Sequence, residues 1–194
     1  MSHLLVLTAL ALGGADDWPQ WRHDANRSGA TEAQGPGSAA RLWELSLPRP
    51  NPAYDHQYRM CADAAYASVA AGGRLFLPSN VSDEVTAIAL NSGAVLWRFL
   101  AEGPVRMAPV IVGDNVIFAS DNGYLYAVSA SDGELLWKVR GVPEDLPASR
   151  MLVNGRMSSR WPARGAPVEY EGVVYFGAGR EKGDGGLFGE MDVG

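Results

Sequence analysis

The run Asn122-Gly-Tyr-Leu-Tyr-Ala-Val-Ser-Ala-Ser-Asp-Gly-Glu-Leu-Leu-Trp-Lys138 decides the fold. Its first half alternates apolar and small residues at the period of a strand, and Asp132-Gly133 supplies the positive φ angles a tight hairpin needs. A second strand follows and carries Trp137. A near copy stands 40 residues earlier as Val85-Thr-Ala-Ile-Ala-Leu-Asn-Ser-Gly93-Ala-Val-Leu-Trp97, with Ala87, Gly93, Leu96 and Trp97 recurring as Ala127, Gly133, Leu136 and Trp137. The strand before each copy recurs too, as Leu75-Phe76-Leu77 and Val116-Ile117-Phe118, and a third time as Val174-Tyr175-Phe176. Each follows a glycine turn, and an entry strand precedes each turn at Ser68–Ala71, Pro109–Val112 and Pro167–Tyr170.

The unit is therefore four short strands, and a four-stranded period of about 40–45 residues is that of a β-propeller blade. One blade cannot bury both faces of its sheet, so neighbours must stack on it. The recurring tryptophans are expected to fill the space between blades. The fold class is all-β, a partial propeller of four-stranded antiparallel blades.

The quoted repeat resembles that of the pyrroloquinoline-quinone (PQQ)-like propellers. That family includes quinoprotein alcohol dehydrogenases and the propeller lipoprotein of the outer-membrane barrel assembly machinery. The opening Asp17-Trp-Pro-Gln-Trp-Arg-His-Asp-Ala-Asn-Arg-Ser-Gly29 is similar to the segment before the first blade in many exported members. The repeat extends over roughly residues 67–194. It is specific for fold and not for function, because scaffolds and enzymes share it.

Three regions are expected. Residues 1–15 read as a signal peptide: Leu4–Leu12 is a short apolar core, Gly13-Gly14-Ala15 offers small residues for cleavage, and the preceding stretch carries only His3. The apolar run is too short for a membrane span of about 20 residues. Residues 16–66 form an N-terminal segment in which Leu42–Leu47 reads as an outer strand and Pro48, Pro50 and Pro52 begin a loop. Residues 67–194 hold two complete blades and a truncated third. The Arg/Pro-rich stretch Val142–Ala166 reads as a long connection between the second and third copies. The chain reads as a fragment, since the third blade's Gly-x-x-x-Trp strand is absent before Gly194.

Composition narrows function. The chain has 194 residues and a formal net charge of −6, with no Lys/Arg cluster, which argues against nucleic acid as a partner. Cys61 is the only cysteine and cannot form an internal disulfide, so it reads as a small buried apolar side chain. His3, His23 and His56 lack metal-site spacing. Gly177-Ala-Gly179-Arg-Glu-Lys-Gly183 has no helix pattern after it and reads as a blade turn rather than a dinucleotide loop.

One pair of residues stands out. Arg106-Met-Ala-Pro-Val110 and Arg164-Gly-Ala-Pro-Val168 occupy the same phase of their blades, just before the entry strand. This places two guanidinium groups side by side at one mouth of the central channel. Arg106 and Arg164 could grip carboxylates of an anionic ligand or of a partner's acidic segment. The alternative is two solvated arginines at loop ends. Arg150, Arg156 and Arg160 lie where they could extend the patch.

The resemblance implies PQQ as a possible cofactor, bound with Ca²⁺ or a lanthanide and an Asp base, often against a vicinal disulfide. One cysteine cannot supply that pair, and no Asp/Glu/Asn cluster matches the family's metal ligands, so no catalytic or metal residue is assigned. The expected function is an exported, periplasmic or cell-surface binding or assembly scaffold without catalysis. Its partner would be a protein, a polysaccharide or a small anion. The alternative is the N-terminal part of a PQQ-dependent alcohol or sugar dehydrogenase.

Overall fold

The computed structural model describes residues 17–35, 40–54 and 63–179, together with the backbone of 187–192. The expected signal peptide, Cys61, His56 and the glycine-rich turn after Gly179 lie outside them. Every regular element among the described residues is a strand. β1 (Val69–Ala71), β2 (Arg74–Ser79), β3 (Glu84–Ala89) and β4 (Val95–Leu100) form one antiparallel sheet in chain order. β5 (Val110–Val112), β6 (Asn115–Ala119), β7 (Tyr124–Ser129) and β8 (Leu135–Arg140) form the second. β9 (Arg150–Val153) pairs with β10 (Arg156–Ser159), and β11 (Val168–Tyr170), β12 (Val173–Ala178) and β13 (Leu187–Asp192) make a three-stranded third sheet. The two complete blades share even their irregularity. The β3–β4 and β7–β8 ladders each slip once, after the matching alanines Ala87 and Ala127.

Strands with two apolar faces explain why the blades stack. Successive side chains point to opposite faces of a sheet. In β6, Val116 and Phe118 join Phe76, Val85 and Trp97 in the layer between the first two blades. Ile117 and Ala119 of the same strand join Val174, Phe176 and Ala178 in the next layer. Each fully buried Val, Ile or Phe contributes about 1.5–3 kcal/mol.

Tyr126 sits in the first layer, stacked on Phe118 at 5.4 Å between ring centroids, with its hydroxyl accepting a hydrogen bond from the Asn122 amide. Burial pushes its phenol above the ordinary value, against the opposing pull of that hydrogen bond. A raised folded-state pKa means full stabilisation below the unfolded value of about 10 and loss as pH climbs through the folded one. Urea midpoints above about pH 10 should therefore fall more steeply in the parent than in Tyr126→Phe. Parallel curves would remove Tyr126 as the cause.

The Gly-x-x-x-Trp pattern has a direct physical origin. The Trp97 indole N–H donates to the Ala130 carbonyl at 3.1 Å, and its ring lies flush on Gly133 of the next blade's turn. Gly133 has φ +77°, which glycine adopts at little cost. Trp43 repeats the arrangement one blade earlier, donating to Leu90 O at 2.7 Å and lying on Gly93.

Two expectations are corrected. Leu42–Leu47 is not a strand: it runs with alternating burial but joins no ladder. Trp43, Leu45 and Leu47 pack on Leu75, Leu77 and Ile88, so the segment keeps an outer strand's side-chain pattern while no described neighbour offers it backbone partners. The stretch Val142–Ala166 is not an unstructured connection, since it contains the β9–β10 hairpin. Asn154 (φ 44°) and Gly155 (φ 75°) form its two-residue turn, with both φ angles positive as a type I′ turn requires.

The opening motif ties the inner strands together. Trp18 forms a two-bond bridge with Ala70 beside β1, and Pro19 O accepts the Ile111 amide of β5 at 2.7 Å. The buried Gln20 amide bonds both ways with the Glu169 backbone of β11. Residues 18–20 thus cross the first strands of three of the four sheets, β1, β5 and β11.

Candidate functional site

The two flagged arginines are structurally equivalent. Val105 N donates to Ser79 O and Ala163 N to Ser120 O, both at 3.2 Å, so each arginine leaves the preceding blade's β-turn at the same step. The structure brings both onto one carboxylate. Arg106 Nε donates to Asp121 Oδ2 at 2.7 Å, and Arg164 Nε donates to Asp121 Oδ1 at 2.8 Å. Asp121 is in the β6–β7 turn, where its amide is fixed by Pro104 O at 2.9 Å, and its side chain is wholly buried.

A second carboxylate completes the group. Arg106 Nη1 donates to Asp63 Oδ2 at 2.7 Å and to Asn51 O at 2.6 Å. Asp63 also accepts the Ala53 amide, while Asn80, at the matching turn of the first blade, holds the Asp63 carbonyl and the Asn51 amide. Charges therefore alternate along Asp63, Arg106, Asp121 and Arg164 and sum to zero. Arg106 is 2% exposed in its side chain and Arg164 is 18% exposed. Burial of Arg164 would lower its pKa, but the Asp121 bond and charge outweigh it and hold the guanidinium more firmly protonated than usual.

What the arrangement does chemically follows from these contacts. Arg106 is enclosed by carboxylates, although its Nη2 is buried without a hydrogen-bond partner. Arg164 faces outward against Tyr54, whose ring lies 5.3 Å from the guanidinium carbon and whose hydroxyl accepts from Nη1 at 3.1 Å. Only Arg164 keeps an edge toward solvent, so an anion approaching this network would meet Arg164 and not Arg106.

The other arginines do not join the group. Arg156 pairs with Asp83 and donates to Val81 O at 3.0 Å, anchoring the hairpin to the first blade. Arg150 stands 3.9 Å from the exposed Glu102, and Arg160 is exposed. Glu102 titrates below the ordinary range because Lys138 donates to it at 2.7 Å. Sequence reasoning missed Asp121 and Asp63. Asp121 lies in Ser120-Asp-Asn-Gly123, which reads as turn chemistry alone, and nothing in the loop around Asp63 marks it.

PQQ carries three carboxylates, and the described residues around this charge network do not fit it. Both guanidinium groups already hold carboxylates, and a tricarboxylate would have to displace the buried Asp121. Among the described residues no three of His, Cys, Asp and Glu gather as metal ligands.

Comparison with known proteins adds the following. A family model described as outer membrane protein assembly factor BamB matches residues 15–184. Outer membrane protein assembly factor BamB of Shewanella oneidensis is 29% identical over 121 residues, covering 57% of this chain and 28% of that protein. Polyvinylalcohol dehydrogenase of a Sphingopyxis species is 30% identical over 152 residues, covering 74% of this chain and 22% of that protein. Among solved structures, the quinohemoprotein alcohol dehydrogenase from Comamonas testosteroni superposes with a TM-score of 0.59 at 17% identity, over 91% of this chain and 25% of that one. That likeness concerns the fold. The chain spans between a fifth and a third of the length of these relatives.

Proposed function

This chain belongs to the PQQ-like β-propeller repeat family, and we propose that it serves as a non-catalytic binding or assembly scaffold. The observation that carries the proposal is the closed charge network. Asp63, Arg106, Asp121 and Arg164 neutralise one another and fasten residues 51–53 and the end of the β9–β10 hairpin to one end of the blades. A network of that kind holds loops in fixed positions for a partner; it leaves no free base or nucleophile for chemistry. The match to assembly factor BamB supports a protein partner. Export to the periplasm or cell surface belongs to the same proposal, as does a small anion or an acidic polysaccharide group at the outward edge of Arg164.

A second reading, the N-terminal part of a PQQ-dependent alcohol or sugar dehydrogenase, draws support from the match to polyvinylalcohol dehydrogenase. Titration of the purified protein with PQQ and Ca²⁺ separates the two. The scaffold reading expects no saturable uptake and no alcohol-dependent reduction of a dye. Stoichiometric uptake with dye reduction would hand the case to the dehydrogenase.

A further inference from the structure

We propose that the β9–β10 hairpin is the docking site for an extended acidic segment of a partner polypeptide, which adds as a third strand along the open edge of β9. The proposal rests on the scaffold reading and names the chemistry of the partner.

The edge is open for a geometric reason. A two-residue turn makes Val153 and Arg156 a hydrogen-bonded pair, and antiparallel pairs then alternate. Leu152 with Met157 and Arg150 with Ser159 fall in the other positions, where amides and carbonyls point away from the hairpin. On the β10 side the Ser159 amide is taken by Asp121 O at 2.6 Å. On the β9 side no described residue pairs with the amide or carbonyl of Leu152. An unpaired strand edge is a template for a further strand, and main-chain bonds to it supply affinity in strand addition.

The side chains suit one class of occupant. Leu152 and Met157 are direct cross-strand neighbours, 69% and 52% exposed, and form one apolar patch on one face. Soluble proteins ordinarily guard such an edge with charge or proline. The hairpin segment's own charge has one sign: residues 146–168 contain four arginines and no Asp or Glu, in a chain of net −6. Arg156 and Arg164 are bound to Asp83 and Asp121. Arg150 is exposed and its ion pair with the exposed Glu102 is long, 3.9 Å, while Lys138 holds that carboxylate at 2.7 Å; Arg160 is exposed without an ion pair among the described residues. Arg150 and Leu152 stand two residues apart on the same face of β9, so a strand carrying an apolar residue opposite Leu152 and an acidic one two positions away would lay its apolar side chain beside Leu152 and Met157 and offer Arg150 a carboxylate.

The hairpin is also presented rigidly. Asn154 Nδ2 donates to Asn51 Oδ1 at 3.1 Å and to Pro52 O at 2.8 Å, and Arg156 holds the first blade. A preorganised edge loses less entropy on binding.

The probe is a fluorescein-labelled peptide Asp-Thr-Val-Thr-Asp-Thr-Val, which puts Asp and Val on one face, titrated by anisotropy at low salt. Saturable binding is expected, with at least a tenfold weakening in the Leu152→Ser/Met157→Ser double variant and in Arg150→Glu. The same peptide with Lys in place of Asp, and its fully N-methylated form, should not bind. These substitutions are at exposed positions, and unchanged near-UV circular dichroism would confirm that the variants fold. Equal binding by parent and variants would overturn the hairpin site while leaving a scaffold that docks elsewhere. No saturable binding to the parent would overturn the hairpin site too, with the PQQ titration deciding the scaffold reading separately. Self-association that the variants abolish and the peptide cannot displace would make a second copy the occupant and sink the peptide proposal.

Discussion

Replacing Asp121 by Asn is expected to lower the unfolding free energy by about 3–5 kcal/mol, a large share of the roughly 5–15 kcal/mol a domain possesses. The carboxylate is wholly buried and accepts from two arginines, so its removal leaves two cations facing one remaining anion, Asp63. An uncompensated buried charge is what makes breaking such a group costly, whereas its net worth against an apolar replacement is small. This yields a sharper test than the single variant. Arg164→Met in the parent removes one partner of Asp121 but leaves Arg106 bound to it. Arg164→Met added to Asp121→Asn restores the balance of one cation, Arg106, with one anion, Asp63. The double variant should therefore be more stable than Asp121→Asn alone, with a coupling of about 0.5–3 kcal/mol in urea unfolding of the four proteins. Additive effects, or a loss below about 1 kcal/mol for Asp121→Asn, would show that the charges are not linked. The exposed Lys138–Glu102 pair sets the contrast, since surface pairs contribute about 0–1 kcal/mol whatever their distance.

Blade architecture was legible in the sequence because it is written in local terms. Period-2 alternation, Asn-Ser-Gly and Asp-Gly turns and a tryptophan four residues after each glycine specify strands and hairpins without reference to distant residues. The same local logic located the two arginines at matching phases, and the structure places both on Asp121. What escaped reading depends on contacts across the chain. Asp121 looks like any turn aspartate until Arg106, 15 residues away, and Arg164, 43 residues away, converge on it. Leu42–Leu47 has an outer strand's alternation but no described strand to pair with, and a ladder needs two. The β9–β10 hairpin, by contrast, is written in local terms. Asn154-Gly155 between Met151-Leu152-Val153 and Arg156-Met157 is a strong hairpin signal, obscured by the arginines and prolines around it.

The contact of tryptophan with glycine makes the second strong prediction, that Gly133→Ala costs about 2–5 kcal/mol while Gly113→Ala costs about 1–2 kcal/mol. Both glycines have positive φ, +77° and +57°, so a Cβ at either meets the left-handed penalty of about 1–2 kcal/mol. They differ in their surroundings. Around Gly113 nothing lies within 4 Å of an added Cβ, whereas at Gly133 it would stand 2.7 Å from Trp97 Cδ2 and Cε3. The indole cannot simply swing aside. It is 9% exposed, held at its N–H by Ala130 O, and packed 5.8 Å from the Phe76 ring. Relief would require the second blade to move off the first, opening a layer that also contains Phe118 and Tyr126. Overpacking a close-fitted layer costs about 1–3 kcal/mol, and that increment is what separates the two variants. Shrinking the ring tests the cause directly: in a Trp97→Leu background, Gly133→Ala should fall back toward the cost of Gly113→Ala, because only the backbone term is left. If the two glycine variants lose equal stability in the parent, the tryptophan is not what seats one blade on the next.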